Sequence, residues 1–512
     1  MEMPRCDLLY LDGRWRRPAK PAAAIPIISP VTEGIIGSVA RGSGLDVDIA
    51  VAAARRAFPS FAATSPSERI DLLKRILTLL EERFENMAQA ICHEMGSAIA
   101  FVRSSQVPFG LAHIRAAIEV LEDYSFIKKQ GTTAIAKEAI GVCGLITPWN
   151  WPLYQITAKI APALAAGCTI VLKPSELSPF SAHLFAQIMH DAGTPPGVFN
   201  MVTGTGEDVG AALASHSDID MISITGSTRA GVLVAQAAAP TVKRVTQELG
   251  GKSPNILLDD ADWGRVVPLG VAAAFRNVGQ SCSAPTRMLV PVKRLREVEE
   301  LAASAAATMT VGDPINEATV LGPLANRNQF DKVQNMIRIG IAEGAKLVRG
   351  GAGRPEYLSK GYFVEPTIFS EVRSGMRIAQ EEIFGPVLCL IPYEDEDEAI
   401  RIANDTVYGL GSHVQSGDIE RARRVAGKIR AGQVHINHPA WDGFAAFGGY
   451  KQSGNGREYG VFGLEEYLET KAILGFFSGM SGLSFNCRSR AARLSRVDAN
   501  DHQNRRKEAG GE

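Results

Sequence analysis

The chain lacks an excess of charge of either sign: 54 Lys and Arg stand against 55 Asp and Glu, a formal net charge of −1. No global field therefore draws it to nucleic acid or to an acidic membrane. Paired cysteines are also missing. The seven thiols (Cys6, Cys92, Cys143, Cys168, Cys282, Cys389 and Cys487) are scattered singly, with no C-x-x-C among them. An odd count without that spacing argues against a disulfide framework and a thiolate zinc site, and it fits a reducing compartment. The first residues, MEMPRCDLLY, have no apolar stretch leading to small residues, so no secretory signal is read and a cytoplasmic location is expected. Long hydrophobic runs are scarce as well. Residues 156–172 are apolar but carry Lys159 and Pro162, and they fall short of the roughly 20 residues a membrane span needs. A buried helix entering a core strand is expected there, with no membrane partner. His435 and His438 flank a β-like run with no third ligand in view, so no metal is expected. No repeat of 20–50 residues is present.

What is there is an ordinary globular composition: 512 residues, 46% hydrophobic, 21% charged and 7% aromatic, enough for several domains with sizeable cores. Ser65-Pro66-Ser67-Glu68 combines a capping box with Pro at the first helical position. Ile70, Leu73, Leu77, Leu80, Phe84, Met87 and Ile91 follow at alternating spacings of three and four, which predicts one long amphipathic helix. Farther on, β-prone runs at 141–146, 169–172, 199–202, 221–224, 255–258 and 288–290 alternate with helical stretches such as 178–192 and 229–238. That order implies parallel sheets covered on both faces, an α/β architecture. Two more helices are read at 394–403 and 418–429. After Phe477 the chain turns Gly/Ser-rich and polar, and seven basic residues from Arg488 to Lys507 face four acidic ones. A disordered, solvated basic tail is expected over 479–512. It lacks interleaved aromatics, so no nucleic-acid partner is expected.

Several short segments carry chemistry. Gly204-Thr205-Gly206 opens a glycine turn whose spacing departs from the dinucleotide fingerprint. Thr225-Gly226-Ser227-Thr228 sits between a strand and a helix, where backbone N–H groups and the Ser227 hydroxyl are suited to a pyrophosphate. Cys282 lies in a loop of small and polar residues, Asn277 to Ser283, whereas Cys143 and Cys168 sit in apolar runs. A polar loop with free N–H groups is one way to lower a thiol pKa. Glu248 stands beside Gly250 and Gly251, which let the backbone turn sharply, and Glu382 precedes Ile383-Phe384-Gly385-Pro386.

These segments share an order. Thr147-Pro148-Trp149-Asn150-Trp151-Pro152, Lys173-Pro174-Ser175-Glu176, Thr225-Gly226-Ser227-Thr228, Glu248-Leu249-Gly250-Gly251-Lys252, Gly279-Gln280-Ser281-Cys282, Glu382-Ile383-Phe384-Gly385-Pro386 and residues 447–454, FGGYKQSG, occur in that sequence. Over about residues 8–477 the chain resembles the NAD(P)-dependent aldehyde dehydrogenase superfamily. The resemblance implies two doubly wound parallel-sheet domains plus a small β oligomerisation unit: residues 1–119 and 139–250 for NAD, 251–459 for catalysis, and 120–138 with 460–478 for a homodimer or homotetramer.

It further implies that Cys282 attacks the aldehyde carbon and that the Asn150 amide and the Cys282 N–H hold the oxyanion. Hydride passes to the nicotinamide, and Glu248 is the general base that hydrolyses the resulting thioester. On the cofactor side it implies Lys173 and Glu176 at the adenosine ribose, Ser227 at the pyrophosphate, and Thr225 and Trp149 at the nicotinamide pocket, with Gly226 and Leu249 also binding the cofactor. Glu382 and Phe384 would meet the nicotinamide ribose and ring. Glu176 favours NAD over NADP, because a carboxylate accepts from a ribose hydroxyl and repels a 2′-phosphate. Trp151, Ala158, Arg276, Trp441 and Phe447 match substrate-tunnel positions. Arg276 invites a carboxylate-bearing semialdehyde, but the second arginine of that clamp is replaced by Ala158, so an aliphatic or aromatic aldehyde is favoured. A CoA-acylating semialdehyde dehydrogenase would lack Glu248, and a non-catalytic binding or structural relative would have lost Cys282, Glu248 or Asn150. All three are present.

Overall fold

The computed structural model describes residues 6–478. The expected basic tail, and Cys487 within it, lie outside the described residues. Contacts divide the chain into a large unit, Met1–Tyr124 with Glu138–Glu469, and a small one, Ser125–Lys137 with Thr470–Glu512.

The large unit is built on two sheets. In the eight-stranded sheet the strands Arg244–Glu248, Met221–Thr225, Val142–Ile146, Thr169–Lys173 and Phe199–Met201 lie side by side and parallel. The side chains of all but Arg244–Glu248 are buried almost throughout, as expected of parallel strands covered by helices on both faces. The chain starts in the middle, at Val142–Ile146, winds outward through Thr169–Lys173 to Phe199–Met201, then returns to the other flank. Strand order therefore reverses between Val142–Ile146 and Met221–Thr225. A crevice opens at such a point outside the carboxyl ends of the strands.

The seven-stranded sheet runs Lys346–Arg349, Thr367–Ser370, Val387–Tyr393, Arg287–Pro291, Pro254–Leu257, Gly411–Gln415 and Gln433–Ile436. It is parallel except at the Lys346–Arg349 edge. Its two faces bury separate hydrophobic clusters, one around Ile256, Leu289 and Phe369, the other around Val267, Phe275 and Met288. A three-stranded sheet runs in the order Leu468–Ile473, Thr133–Ala139, Ile127–Gln130, the last two antiparallel.

The long helix expected from residue 66 onward is two helices, Pro66–Glu82 and Phe84–Met95, parted at Arg83, whose φ of −102° and ψ of 21° leave the helical region. The capping box is present: Ser65 Oγ accepts from the Glu68 N–H at 3.3 Å, and Glu68 accepts from the Ser65 N–H at 2.7 Å. The apolar spacing carries straight across Arg83, because two packed helices in succession can keep one buried face. The periodicity therefore gave no warning of the break.

Candidate active site

The carboxyl ends of the central strands in the eight-stranded sheet are level, with Ile146 paired to Lys173 and to Ile224, and Thr225 to Glu248. The chain leaving each strand reaches the crevice. After Ile146 come Trp149 and Asn150. After Lys173 comes Glu176, whose carboxylate meets the buried Lys173 ammonium at 2.8 Å. After Thr225 come Gly226 and the exposed Ser227, whose Oγ accepts from the Ala230 N–H at 3.2 Å and caps the helix Thr228–Ala238. The N–H groups at that helix start and its dipole favour an anion. The buried hydroxyls of Thr225 and Thr228 have no hydrogen-bond partner.

Glu248 ends its own strand, and the chain crosses directly to the second sheet. Gly250 and Gly251 serve close approach here, not the sharp turn expected of them. A Cβ on Gly250 would fall 2.5 Å from Glu382 Oε2, and one on Gly251 would fall 2.5 Å from the Cys282 carbonyl oxygen. The Gly251 N–H donates to Glu382 Oε1 at 3.0 Å. Phe384, held at φ 62°, turns its ring edge-to-face against Trp149 with centroids 5.4 Å apart. Leu249 packs over Gly231 of the helix Thr228–Ala238.

Cys282 lies just ahead of the strand Arg287–Pro291, in a loop that begins where the helix Trp263–Phe275 ends. Asn277, Val278 and Gly279 all have positive φ, 53°, 59° and 71°. A β-branched residue rarely adopts that region, so strain is stored here and must be held by its surroundings. Asn277 is the anchor. Its Oδ1 accepts from Ser97 Oγ at 2.9 Å and from Gln106 Nε2 at 3.1 Å, and its Nδ2 donates to the Asn150 carbonyl at 2.8 Å. Asn150 Nδ2 in turn donates to the Gln280 carbonyl at 2.9 Å. Gly279 has no room for a side chain, because a Cβ would lie 2.2 Å from the Gly385 carbonyl oxygen. The thiol loop, Asn150 and the Glu382–Pro386 loop thus form one interlocked body.

The electrostatics are those of a dry site. Burial pushes the Cys282 thiol well above its ordinary pKa, and the carboxylates of Glu382, Glu248 and Glu458 push in the same direction. The polar loop therefore does not by itself supply the lowered pKa expected of it, because desolvation outweighs the contribution of the Ser283 N–H. Glu248 is buried with Oε2 unpartnered, and burial followed by the Glu458 charge raises its pKa well above the carboxylate range, against the pull of Lys159 and Arg457. Lys159 is itself buried, held by Glu458 Oε1 at 2.5 Å and Ser223 Oγ at 3.1 Å. Gly448 makes room for Glu248, since a Cβ there would lie 2.7 Å from Oε1.

Cys282 packs with Ala158, Leu410, Phe447, Tyr459 and Tyr154. Beyond them stands a wall of rings: Trp151 with Phe109, Phe109 stacked on Trp441 at 4.8 Å, and Phe447 stacked on Tyr459 at 5.1 Å. Trp151 Nε1 donates to Ser281 Oγ at 2.9 Å, tying the wall to the thiol loop. Trp151, Ala158, Trp441 and Phe447 are therefore brought together around Cys282. Arg276, at the end of the helix Trp263–Phe275, is exposed and makes no ion pair among the described residues, and partial burial of its guanidinium lowers its pKa.

His435 and His438 do meet a third imidazole, His413, at ring centroid distances of 4.6 Å from His435 and 5.9 Å from His438. Even so, no group of three or more His, Cys, Asp or Glu among the described residues is arranged to hold a metal ion. Sequence reasoning passed over Asn277, Tyr154, Tyr459, His113 and Glu458. Only Asn277 carried a local signal, as a side chain that tolerates positive φ two residues before a glycine.

A sequence model of the aldehyde dehydrogenase family matches residues 15–473. The 3-succinoylsemialdehyde-pyridine dehydrogenase of a Pseudomonas species is 56% identical over 468 residues, covering 91% of this chain and 98% of that protein. Among solved structures, aldehyde dehydrogenase C of Pseudomonas syringae, crystallised as a cysteine-to-alanine variant with NAD+ and octanal, superposes with a TM-score of 0.92 at 64% identity, covering 93% of this chain and 98% of that one. A Mycobacterium tuberculosis aldehyde dehydrogenase solved with NAD+ gives a TM-score of 0.91 at 38% identity, covering 94% of this chain and 100% of that one.

Proposed function

The chain belongs to the aldehyde dehydrogenase family, and on that premise we propose that it oxidises an uncharged aldehyde to the carboxylic acid with NAD, using Cys282 as nucleophile, Asn150 as oxyanion donor and Glu248 as general base. The observation that carries this reading is the single interlocked body of Cys282, Asn150 and the Glu382–Pro386 loop beside the buried Glu248.

The residues present suit a dinucleotide. The partnerless hydroxyls of Thr225 and Thr228, the open helix start at Ser227 and the absence of close neighbours around Gly226 make an anion cradle for the pyrophosphate. Lys173 and Glu176 flank a ribose position, and Glu176 disfavours a 2′-phosphate, so NAD is preferred over NADP. Trp149, Leu249, Glu382 and Phe384 bound the nicotinamide end. When bound, NAD supplies the hydride acceptor that turns the thiohemiacetal on Cys282 into a thioester.

Everything else is done by the chain. The Cys282 thiol, raised by burial, must give up its proton as sulfur attacks, and a raised Glu248 is a base strong enough to receive it. The thiohemiacetal oxyanion meets the Asn150 amide and the Cys282 N–H. Such a donor set in a dry site acts where charge develops, and one donor is worth about 3 kcal/mol of barrier. Once Glu248 has passed that proton to solvent, it deprotonates the water that hydrolyses the thioester, and the Cys282 thiolate leaves as the carboxylic acid is released.

For the substrate, the ring wall carries no charge, Arg276 is exposed, and aldehyde dehydrogenase C of Pseudomonas syringae was solved with octanal. These support a neutral aldehyde over an acidic one. The exposed edge strands Ile127–Gln130 and Leu468–Ile473, with Leu474 and Phe476 exposed beside them, support a homodimer or homotetramer. The domain division at residues 119–139, 250 and 459 remains part of the same proposal.

The test is NADH production with octanal, benzaldehyde and succinate semialdehyde, with Cys282→Ala as the blank. Octanal or benzaldehyde is expected to lead. A preference for succinate semialdehyde that vanishes in Arg276→Ala would overturn the neutral-substrate assignment, and no NADH from any aldehyde would overturn the reaction.

A further inference from the structure

Two of the rings beside Cys282 carry hydroxyls, and those hydroxyls do not balance. Tyr154 Oη and Tyr459 Oη are hydrogen-bonded to each other. Each phenol brings one proton, so whichever way that bond runs, one proton is used and one is left over. No acceptor among the described residues takes it. The indole of Trp441, 6.2 Å from the Tyr459 ring, is a donor only. His113 stacks on Tyr459 with centroids 4.7 Å apart, and its Nδ1 donates to the Tyr154 carbonyl at 3.2 Å. Its Nε2 has a lone pair to offer, yet that atom is buried and unpartnered too.

Burial separates the two phenols. Every residue of the helix Pro152–Ala166 is buried except Tyr154. Phe109, Trp441 and Cys282 are half-buried like Tyr154, whereas Tyr459 is buried. An unsatisfied donor costs most where water cannot reach it. The arrangement with the spare proton on Tyr154 is therefore the cheaper one, and it leaves that proton on the open side of the ring wall, with the thiol. Burial raises the pKa of both phenols and the Glu458 carboxylate adds to it, so both stay protonated and an anionic acceptor would be repelled.

We propose that Tyr459 orients Tyr154, and that the Tyr154 hydroxyl donates to an uncharged oxygen, ether or ketone, in the chain of the substrate aldehyde. The proposal rests on the aldehyde oxidation argued above and adds a specific polar contact to a wall of rings. A site with a donor waiting for its acceptor discriminates by that contact better than an apolar wall discriminates by size.

The experiment compares octanal with 4-, 5-, 6- and 7-oxaoctanal, in which one methylene is replaced by an ether oxygen, reading kcat/KM from NADH production. The four ethers are isomers of nearly equal hydrophobicity, so differences among them report the position of a donor. In the wild type the best ether is expected to exceed the poorest by about tenfold, the scale of one hydrogen bond. Tyr154→Phe is expected to level the four. Tyr459→Phe keeps the donor but frees it to turn, so the same order is expected with a smaller spread. A general loss of packing lowers all four together and leaves their ratio in place. A flat wild-type series, or a spread that survives intact in Tyr154→Phe, would overturn the contact while leaving aldehyde oxidation standing. Should Tyr154→Phe fail to fold, an unchanged spread in Tyr459→Phe would overturn it instead. No NADH from octanal or any ether would overturn the underlying activity, and the contact with it.

Discussion

The two sheets of the large unit offer opposite ends to the crevice. The eight-stranded sheet presents the carboxyl ends of its strands, at Ile146, Lys173, Thr225 and Glu248. The seven-stranded sheet presents amino ends: Gly251 to Ser253 lie ahead of Pro254–Leu257, Cys282 ahead of Arg287–Pro291, Gly385 ahead of Val387–Tyr393, and Leu410 ahead of Gly411–Gln415. The first arrangement is built mostly from strands that run into helices, one of them capped by Ser227, with little strain. The second is built from loops, with Asn277, Val278 and Phe384 all held at positive φ by buried hydrogen bonds and close backbone contacts. The difference separates the proposed pyrophosphate and ribose contacts, which gather at carboxyl ends, from the proposed nucleophile, which a strained amino-end loop carries, with Asn150 and Glu248 reaching it from the carboxyl-end side.

That division can be broken or sharpened by substitution. The largest effect is expected at Glu248, on the border between the sheets. Glu248→Gln should cut steady-state turnover by about a thousandfold, within the usual range for a general base, while a slower first burst of NADH survives, because the thiol can still lose its proton to solvent whereas nothing replaces Glu248 in hydrolysis. Since the wild-type Glu248 pKa is raised, its base form accumulates only as pH climbs above the ordinary carboxylate range, so turnover should rise with pH there. The Gln variant should lose that rise.

Next is Asn277→Ala, which touches neither substrate nor cofactor but removes the hold on Asn150 and on the thiol loop. A loss of about a hundredfold in kcat, the scale of one misplaced oxyanion donor, is expected with the KM for NAD nearly unchanged. A change in KM for NAD alone would contradict the division.

Substitution on the carboxyl-end side should do the reverse. Glu176→Gln is expected to shift the NAD-to-NADP ratio of kcat/KM by about tenfold toward NADP, the scale of one charged hydrogen bond, and to leave kcat with saturating cofactor in place.

The smallest effect concerns stability. Burial holds His413 well below its ordinary 6.5, and His435, His438 and Arg276 around it lower it further. Its unfolded form takes up a proton below about pH 6.5 and its folded form does not, so stability is complete above that value and is lost as pH falls. His413→Gln should flatten the drop in melting temperature between pH 7 and pH 5.

The carboxyl-end half was the more legible in sequence, because Thr225-Gly226-Ser227 after a buried run and before a helical stretch is a local pattern. Cys282 could be singled out only by its polar loop and by the order of the motifs around it. What holds that loop was hidden, since Ser97, Gln106, Asn150 and Asn277 are far apart in the chain and meet only in the fold.

The most direct test of the central claim is acid-quenched mass spectrometry of Glu248→Gln after one turnover with octanal and NAD. An octanoyl group on the peptide containing Cys282, and on no other cysteine peptide, is the predicted result. NADH formed with that peptide unmodified, or acylation at a different thiol, would contradict it.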